Sequence, residues 1–185
     1  MRAAVLDACV LYPAPLRDFF LRLIQGGVIE GYWTATILDE CFRSVARDRP
    51  DLAPAQLQRS RGAMESYFPD RLLTGHEHLI EGLDLPDLDD RHVVAAAISG
   101  EVPVIVTFNL RDFLASRLGP LGIVAVHPDT FVLAAVARDP DGVLAVLHGQ
   151  VASLRNPPTT LTELLDGLAL QGLREAMAAM RGRAS

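Results

Sequence analysis

The sequence predicts an α/β domain built around a mainly parallel sheet. Two short runs of aliphatic residues, VPVIV at residues 102–106 and GIVAV at residues 122–126, are typical of strands that are covered on both faces. Segments with helical spacing separate the candidate strands, and no hairpin signal joins them. Strands that alternate with helices in this way form parallel sheets covered by helices.

The amino terminus predicts a strand, a loop and a helix. The stretch RAAVLDACVL, residues 2–11, is a short apolar run interrupted by Asp7. After Tyr12 and Pro13 the apolar residues recur at helical spacing, and Gly26 ends the pattern. The residues on this apolar face are Leu16, Phe19, Phe20, Leu23 and Ile24.

Two further helices are predicted before residue 70. Thr36 and Asp39 resemble a capping box, which would begin a helix that ends before Pro50. Glu40 would then lie in the first turns of that helix. A proline at a first helical position and an apolar face predict the next helix over residues 54–67.

The rest of the chain contains one more core helix and a helical carboxyl-terminal part. The stretch LPDLDDRHVVAAA, residues 85–97, leads into a helix that stops at Gly100. From Pro128 onward every pattern is helical, and Thr160 with Glu163 forms a second candidate capping box. We therefore expect a core domain over residues 1–130. A helical extension over residues 131–185 is expected to pack on this domain.

Composition restricts the class of protein. The chain has 185 residues, half of them apolar, which is enough for one sizeable core. Its formal charge of −6 argues against a simple DNA coat, because bulk electrostatics would repel nucleic acid. Two cysteines are too few for a disulfide framework, and each is expected to be a small buried hydrophobe. No run approaches the ~20 apolar residues of a membrane span, so the sequence favours a cytoplasmic protein without a membrane partner.

Several oxygen-bearing side chains are expected to converge at one edge of the sheet. In an open parallel sheet the functional crevice lies outside the carboxyl ends of the strands. One acid ends the first strand, two lie near helix starts, and two polar residues follow the strand that ends at Thr107. These residues are Asp7, Glu40, Asp90, Asn109 and Asp112.

Clustered carboxylates repel one another, and a hard divalent cation with oxygen ligands relieves that repulsion. We therefore expect Mg²⁺ or Mn²⁺. Zinc is less favoured because no histidine or cysteine set has ligand spacing, and His92 is expected to point away from Asp90 along the helix. Asp87 and Asp89 are expected to cap the helix or to support the site. Each acid taken alone is better explained as a cap or a surface charge, and only the acids taken together favour a cation site.

Four motifs in sequence carry a resemblance to a known family. They are VLDACVL around Asp7, ILDEC around Glu40, DLDDRHVVAAAI around Asp90, and VIVTFNLRDF, which ends at Asp112-Phe113. Over about residues 1–130 the chain resembles the PIN-domain ribonucleases, many of which are toxins of VapBC-type toxin–antitoxin pairs. The carboxyl-terminal helices are additional to the compact family pattern.

The resemblance implies a three-layer α/β/α fold and a metal-dependent endoribonuclease that uses Mg²⁺ or Mn²⁺. Asp7, Glu40 and Asp90 match the acidic triad of the family, and Asp112 matches its more variable fourth acid. Thr107 matches a supporting residue at a strand end, and Asn109 stands where some relatives carry an acid. The implied partners are an RNA substrate, a cognate antitoxin protein and a second copy of the chain.

Two alternatives remain open at this stage. A phosphatase-like hydrolase also places an aspartate at the end of the first strand, but it would need a second aspartate where this chain has Cys9. A phospho-receiver would need a lysine, and the sequence contains none. A catalytically silent binding module of the same fold would be favoured by the loss of one of the three main acids, all of which are present.

Overall fold

A four-stranded parallel sheet forms the centre of the protein in a computed structural model that describes residues 1–184. The strand order is β2-β1-β3-β4, and every neighbouring pair is parallel. The predicted α/β class with a parallel sheet is therefore confirmed. The strands are β1 Ala3–Leu6, β2 Glu30–Tyr32, β3 Val104–Val106 and β4 Val124–Val126.

Helices connect and cover the strands. Those of the first part are α1 Ala8–Leu11, α2 Ala14–Gln25, α3 Ala35–Asp48, α4 Pro54–Tyr67, α5 Arg91–Ser99 and α6 Ala115–Leu118. Those after the last strand are α7 Pro128–Arg138, α8 Pro140–Ser153, α9 Leu161–Leu170 and α10 Arg174–Ala184. Short 3₁₀ turns lie at Pro69–Arg71, Glu77–Gly82 and Gly119–Leu121. No helix within residues 1–184 has the length and apolar character needed to cross a membrane.

The two central strands, β1 and β3, bring the candidate residues to one edge. Val5 pairs with Ile105, and both side chains are completely buried. At the carboxyl ends, Asp7 N donates to Val106 O at 3.1 Å, and Thr107 N donates to the carbonyl of the last β4 residue at 3.1 Å. Asp7 and Thr107 consequently leave the sheet side by side, each on a strand whose position is fixed by its neighbours.

Two local predictions were incomplete or wrong. Strand β2 was not predicted, because Glu-Gly-Tyr has neither the β-branched residues nor the continuous apolar character of a buried strand. The predicted cap at Thr36 is also wrong. Helix α3 is capped by Thr34, whose Oγ1 accepts from Ile37 N at 3.1 Å. Thr34 is completely buried with an extended backbone, whereas Thr36 is exposed within the first turn and Asp39 pairs instead with Arg61.

The last four helices pack on the rest of the protein. Helix α8 contacts α2, and α10 contacts α7 and α9. Their buried side chains, among them Leu165, Leu168, Met177 and Met180, belong to the same hydrophobic cluster as the sheet. The capping box of Thr160 and Glu163 is confirmed, since each side chain accepts from the backbone N–H of the other residue. The division into domains at residue 130 stays a prediction.

Candidate metal centre

Asp7 is the most firmly held acid at the sheet edge. Its side chain is 6% exposed. Oδ1 accepts from Ala8 N at 2.6 Å, which caps α1, and Oδ2 accepts from Thr107 Oγ1 at 2.7 Å. Cys9 Sγ donates to the same Oδ2 at 3.1 Å. These three donors fix the orientation of the carboxylate.

Glu40 lies on α3 near the same edge of the sheet, and a histidine of α5 contacts its carboxylate. His92 Nε2 lies 3.0 Å from Glu40 Oε1, and the side chains are 8% and 34% exposed. The prediction that His92 points away from the site is wrong. Asp90 is the residue that precedes α5, so rotation around the helix does not relate its direction to that of His92.

Asp90 carries the least satisfied oxygen of the site. Its Oδ2 is buried and has no hydrogen-bond partner among residues 1–184. Burial, followed by the negative charges of Asp7, Asp87 and Asp112, raises the pKa of the Asp90 carboxyl from 3.8 to about 7. A buried, unpaired carboxylate oxygen is costly, and its neighbours here are other acids.

Asp87 and Asp112 complete a tight group with Asp90. One oxygen from each lies within 4.8 Å of the others. Asp112 Oδ2 also accepts from Asn109 Nδ2. Asp87 was expected to cap the helix or to support the site, yet Oδ1 accepts only a local turn bond, from Asp89 N at 2.9 Å. No side chain caps α5, so neither Asp87 nor Asp89 serves as a helix cap.

One open cavity of about 490 Å³ connects most of the predicted residues. Asp7, Glu40, Asp90 and Asn109 line it, together with residues of α1 and α3 and with Tyr12, which directly follows α1. Thr107 lies behind Asp7, through their hydrogen bond, and Asp112 is joined through Asn109 and Asp90. The six predicted residues therefore lie in one region, and Asp87, one of the two acids expected to cap the helix or to support the site, lies with Asp90 and Asp112 in the tight group of oxygens.

Cys9 is a residue that the sequence analysis did not assign to the site. Besides its bond to Asp7, its Sγ accepts from Phe108 N at 3.3 Å and lies 3.4 Å from Thr107 Oγ1. Burial and the charge of Asp7 raise the pKa of the thiol to about 12, which keeps it neutral and able to donate. It is only half-buried and bridges the ends of β1 and β3 rather than filling the core. Its position two residues after Asp7 was the feature of the sequence that could have indicated a place at the site.

The donor set fits a hard divalent cation. Carboxylate and amide oxygens are the ligands that Mg²⁺ and Mn²⁺ prefer. The buried, unpaired Asp90 Oδ2 lacks a positive partner, and the crowded charges of Asp87, Asp90 and Asp112 are those that a cation would neutralise. Within residues 1–184 no tight group of histidine and cysteine ligands of the kind that binds zinc is present.

We expect the metal-free protein to lose stability as the pH rises from about 4 to about 7. The folded-state pKa of Asp90 is raised, so in this range the folded protein holds a proton that the unfolded chain has already released. Thermal midpoints with a chelator should therefore fall between pH 5 and pH 7.5 more in the wild type than in Asp90→Asn. Parallel pH profiles for the two proteins would contradict the assignment.

We also expect His92 to position Glu40 by donating to it. His92→Leu removes the donor at similar bulk, which should weaken Mn²⁺ affinity by about ten- to a hundredfold, the range seen when a partner of a metal ligand is lost. His92→Gln retains a side-chain N–H and should recover part of that affinity. Equal Mn²⁺ affinity in wild type and His92→Leu, measured by calorimetry, would show that the contact serves only packing.

Comparisons with known proteins place this site in a family. The family model described as "PIN domain" matches residues 3–111, and the model described as "VapC50 C-terminal domain" matches residues 128–182. "Putative ribonuclease VapC50" of Mycobacterium tuberculosis (strain ATCC 25618 / H37Rv) is 43% identical over 82 residues, which are 44% of this chain and 48% of the relative. The chain thus spans about half the length of the curated relative it matches. No solved structure matches the chain.

The predicted resemblance is confirmed by these matches. The first of them extends over more than half of the sequence and contains Asp7, Glu40, Asp90, Thr107 and Asn109. The chain belongs to the PIN-domain family.

Proposed function

We propose that the protein is an endoribonuclease that hydrolyses RNA phosphodiester bonds with the help of Mg²⁺ or Mn²⁺ held by Asp7, Glu40, Asp90 and Asp112. The buried and unpaired Oδ2 of Asp90, surrounded by other carboxylates, is the observation that carries the proposal. When bound, the cation supplies positive charge that acidifies water and neutralises the phosphodiester.

The residues of the chain have distinct parts in this reaction. Asp7 is held rigidly by Thr107 and Cys9, so its position is set before any ligand arrives. Asp90 would hold the cation with an oxygen that has no other partner among residues 1–184. Asn109 orients Asp112 and lines the cavity. Since no serine or cysteine nucleophile is needed, the neutral Cys9 thiol is consistent with attack by water.

The family supports RNA as the substrate. PIN-domain membership and a relative whose name describes a ribonuclease favour this substrate class over a phosphorylated protein or small molecule. The acidic cavity would repel RNA in the absence of a cation, so cation binding and substrate approach are coupled.

We further propose that the protein is the toxin of a toxin–antitoxin pair, with a cognate antitoxin protein and a second copy of itself as partners. The match of residues 128–182 to the VapC50 C-terminal domain and the 82-residue match to a putative ribonuclease VapC50 support this assignment. Residues 131–185 are then an extension that packs on a nuclease domain formed by residues 1–130. Co-expression with the protein encoded by the neighbouring reading frame, followed by size-exclusion chromatography, tests for the pair.

The catalytic proposal is tested with purified protein and a pool of total RNA. We expect cleavage with Mn²⁺ or Mg²⁺, none with a chelator, and recovery when the cation is restored. RNA that remains intact with the cation present and the acids unaltered would favour the catalytically silent binding module instead.

A further inference from the structure

Tyr12 lies where two cavities adjoin. One is the acidic cavity of the candidate metal centre, and the other, of about 510 Å³, lies between the start of α2 and helices α3 and α4. Tyr12 lines both of them. The residues that line the second cavity include Arg17, Arg49, Leu52, Gln56 and Ser60. An RNA strand with one phosphate at the acids of the metal centre therefore has a path past Tyr12 into the second cavity.

The second cavity has a charge that contrasts with the rest of the molecule. Its lining contains two arginines and no acidic residue, although the chain carries 23 acidic and 17 basic residues. Arg49 lies at its surface in an ion pair with Asp51, with side chains 57% and 60% exposed. An exposed pair of this kind contributes little stability, so a phosphate can compete for the guanidinium.

Hydrogen bonds hold both the side chain and the backbone of Tyr12. Its hydroxyl donates to Asp48 Oδ2 at 3.1 Å, and its backbone carbonyl accepts from Arg17 Nη1 at 3.2 Å. Arg17 is itself fixed by a second bond to Leu11 O at 2.7 Å and by stacking over the Phe42 ring at 5.3 Å. A half-exposed ring on a backbone held in this way offers a stacking face for a base.

We propose that the second cavity binds the nucleotide next to the scissile phosphate in single-stranded RNA, with the base stacked on Tyr12 and its phosphate paired with Arg49. This inference rests on the proposed ribonuclease function and names the form of RNA that the site accepts. A base can stack on Tyr12 only when it is not stacked between neighbouring bases of a double-stranded RNA helix. A continuous duplex therefore cannot use this contact. The two cavities together then hold an extended strand.

Fluorescence anisotropy with a labelled ten-nucleotide single strand tests the proposal, in calcium to limit cleavage. Tyr12→Leu should weaken binding about tenfold, within the range of one base stacked on an aromatic ring. Tyr12→Phe keeps the ring and should stay within about threefold of the wild type. Arg49→Gln should weaken binding and lower the slope of affinity against salt concentration by about one. Arg2→Gln is the matched control, because Arg2 is 58% exposed and paired with Glu30 at the opposite end of β1.

The outcomes separate this inference from the proposed function. Equal affinity of wild type, Tyr12→Leu and Arg49→Gln for the single strand would overturn the inference, as would tighter binding of a blunt duplex of the same length. If the variants weaken binding as expected but the wild type does not cleave RNA with Mn²⁺, the nucleotide site stands and the ribonuclease proposal fails. If the wild type cleaves RNA and Tyr12→Leu has an unchanged KM, the ribonuclease stands and the nucleotide site fails.

Discussion

Replacement of Asp90 by asparagine is expected to lower the rate of RNA cleavage by about a thousandfold or more, because several kcal/mol of charge stabilisation depend on a cation at this group. The same change should raise the thermal midpoint of the metal-free protein at pH 8. Asparagine removes a buried charge that Asp7, Asp87 and Asp112 oppose. Opposite effects on activity and stability are the signature of a functional acid rather than a structural one.

Asp89→Asn is the matched control for that experiment. Asp89 is the neighbouring residue and carries the same chemical group, but its side chain is exposed and only its backbone N–H is engaged, with Asp87. Cleavage by Asp89→Asn should remain within about twofold of the wild type, as expected of a surface substitution with little energetic effect. Equal losses in the two variants would mean that the general negative charge of this segment, and not Asp90, controls the reaction.

Removal of residues 129–185 is expected to prevent the remaining chain from folding into a soluble protein. Helix α8 covers α2, and Phe131 and Leu147 are completely buried in the common cluster. The truncation would expose these surfaces to water, which costs about 25 cal/mol of folding free energy for each Å² of apolar area. It would also remove Gly172, which lies against the Phe108 ring beside the metal centre.

Single substitutions in α9 test the same claim without a truncation. Leu168 is completely buried, whereas Leu170, two residues later, is 86% exposed. Leu168→Ala should lower the free energy of unfolding by about 2–5 kcal/mol, and Leu170→Ala should change it by less than about 0.5 kcal/mol. Equal denaturation midpoints for the two variants, with a soluble truncated protein, would show that the carboxyl-terminal helices are dispensable for the fold.

Features that depend on local pattern were predictable from the sequence. The aliphatic run of β3 is visible without any tertiary information, as are the prolines and glycines that bound the helices. The placement of Asp7 also follows from local pattern, because an acid at the end of the first parallel strand must lie at the functional edge. The cap of α3 was misplaced by two residues, since Thr34 and Thr36 are equivalent by type and only burial distinguishes them.

Features that depend on contacts between distant segments were not predictable. Glu40 and His92 are 52 residues apart, and no spacing rule connects them. The sequence left open whether Asp87 caps the helix or supports the site, and only the folded chain brings its oxygen within 4.8 Å of Asp90 and Asp112. In the sequence Cys9 is part of an apolar run, whereas in the structure its thiol contacts Asp7 and Thr107 at the ends of β1 and β3. Strand β2 was missed because pairing with β1, rather than its own residues, makes it a strand.

Titration of Mn²⁺ into the metal-free protein at pH 7.5, followed by electron paramagnetic resonance of the free ion, tests most directly whether the acid cluster is a cation site. Wild type and Asp89→Asn should bind Mn²⁺ saturably with similar affinity, whereas Asp7→Asn and Asp90→Asn should retain their thermal transitions and lose that binding. Unchanged Mn²⁺ affinity in folded Asp7→Asn and Asp90→Asn would contradict the account.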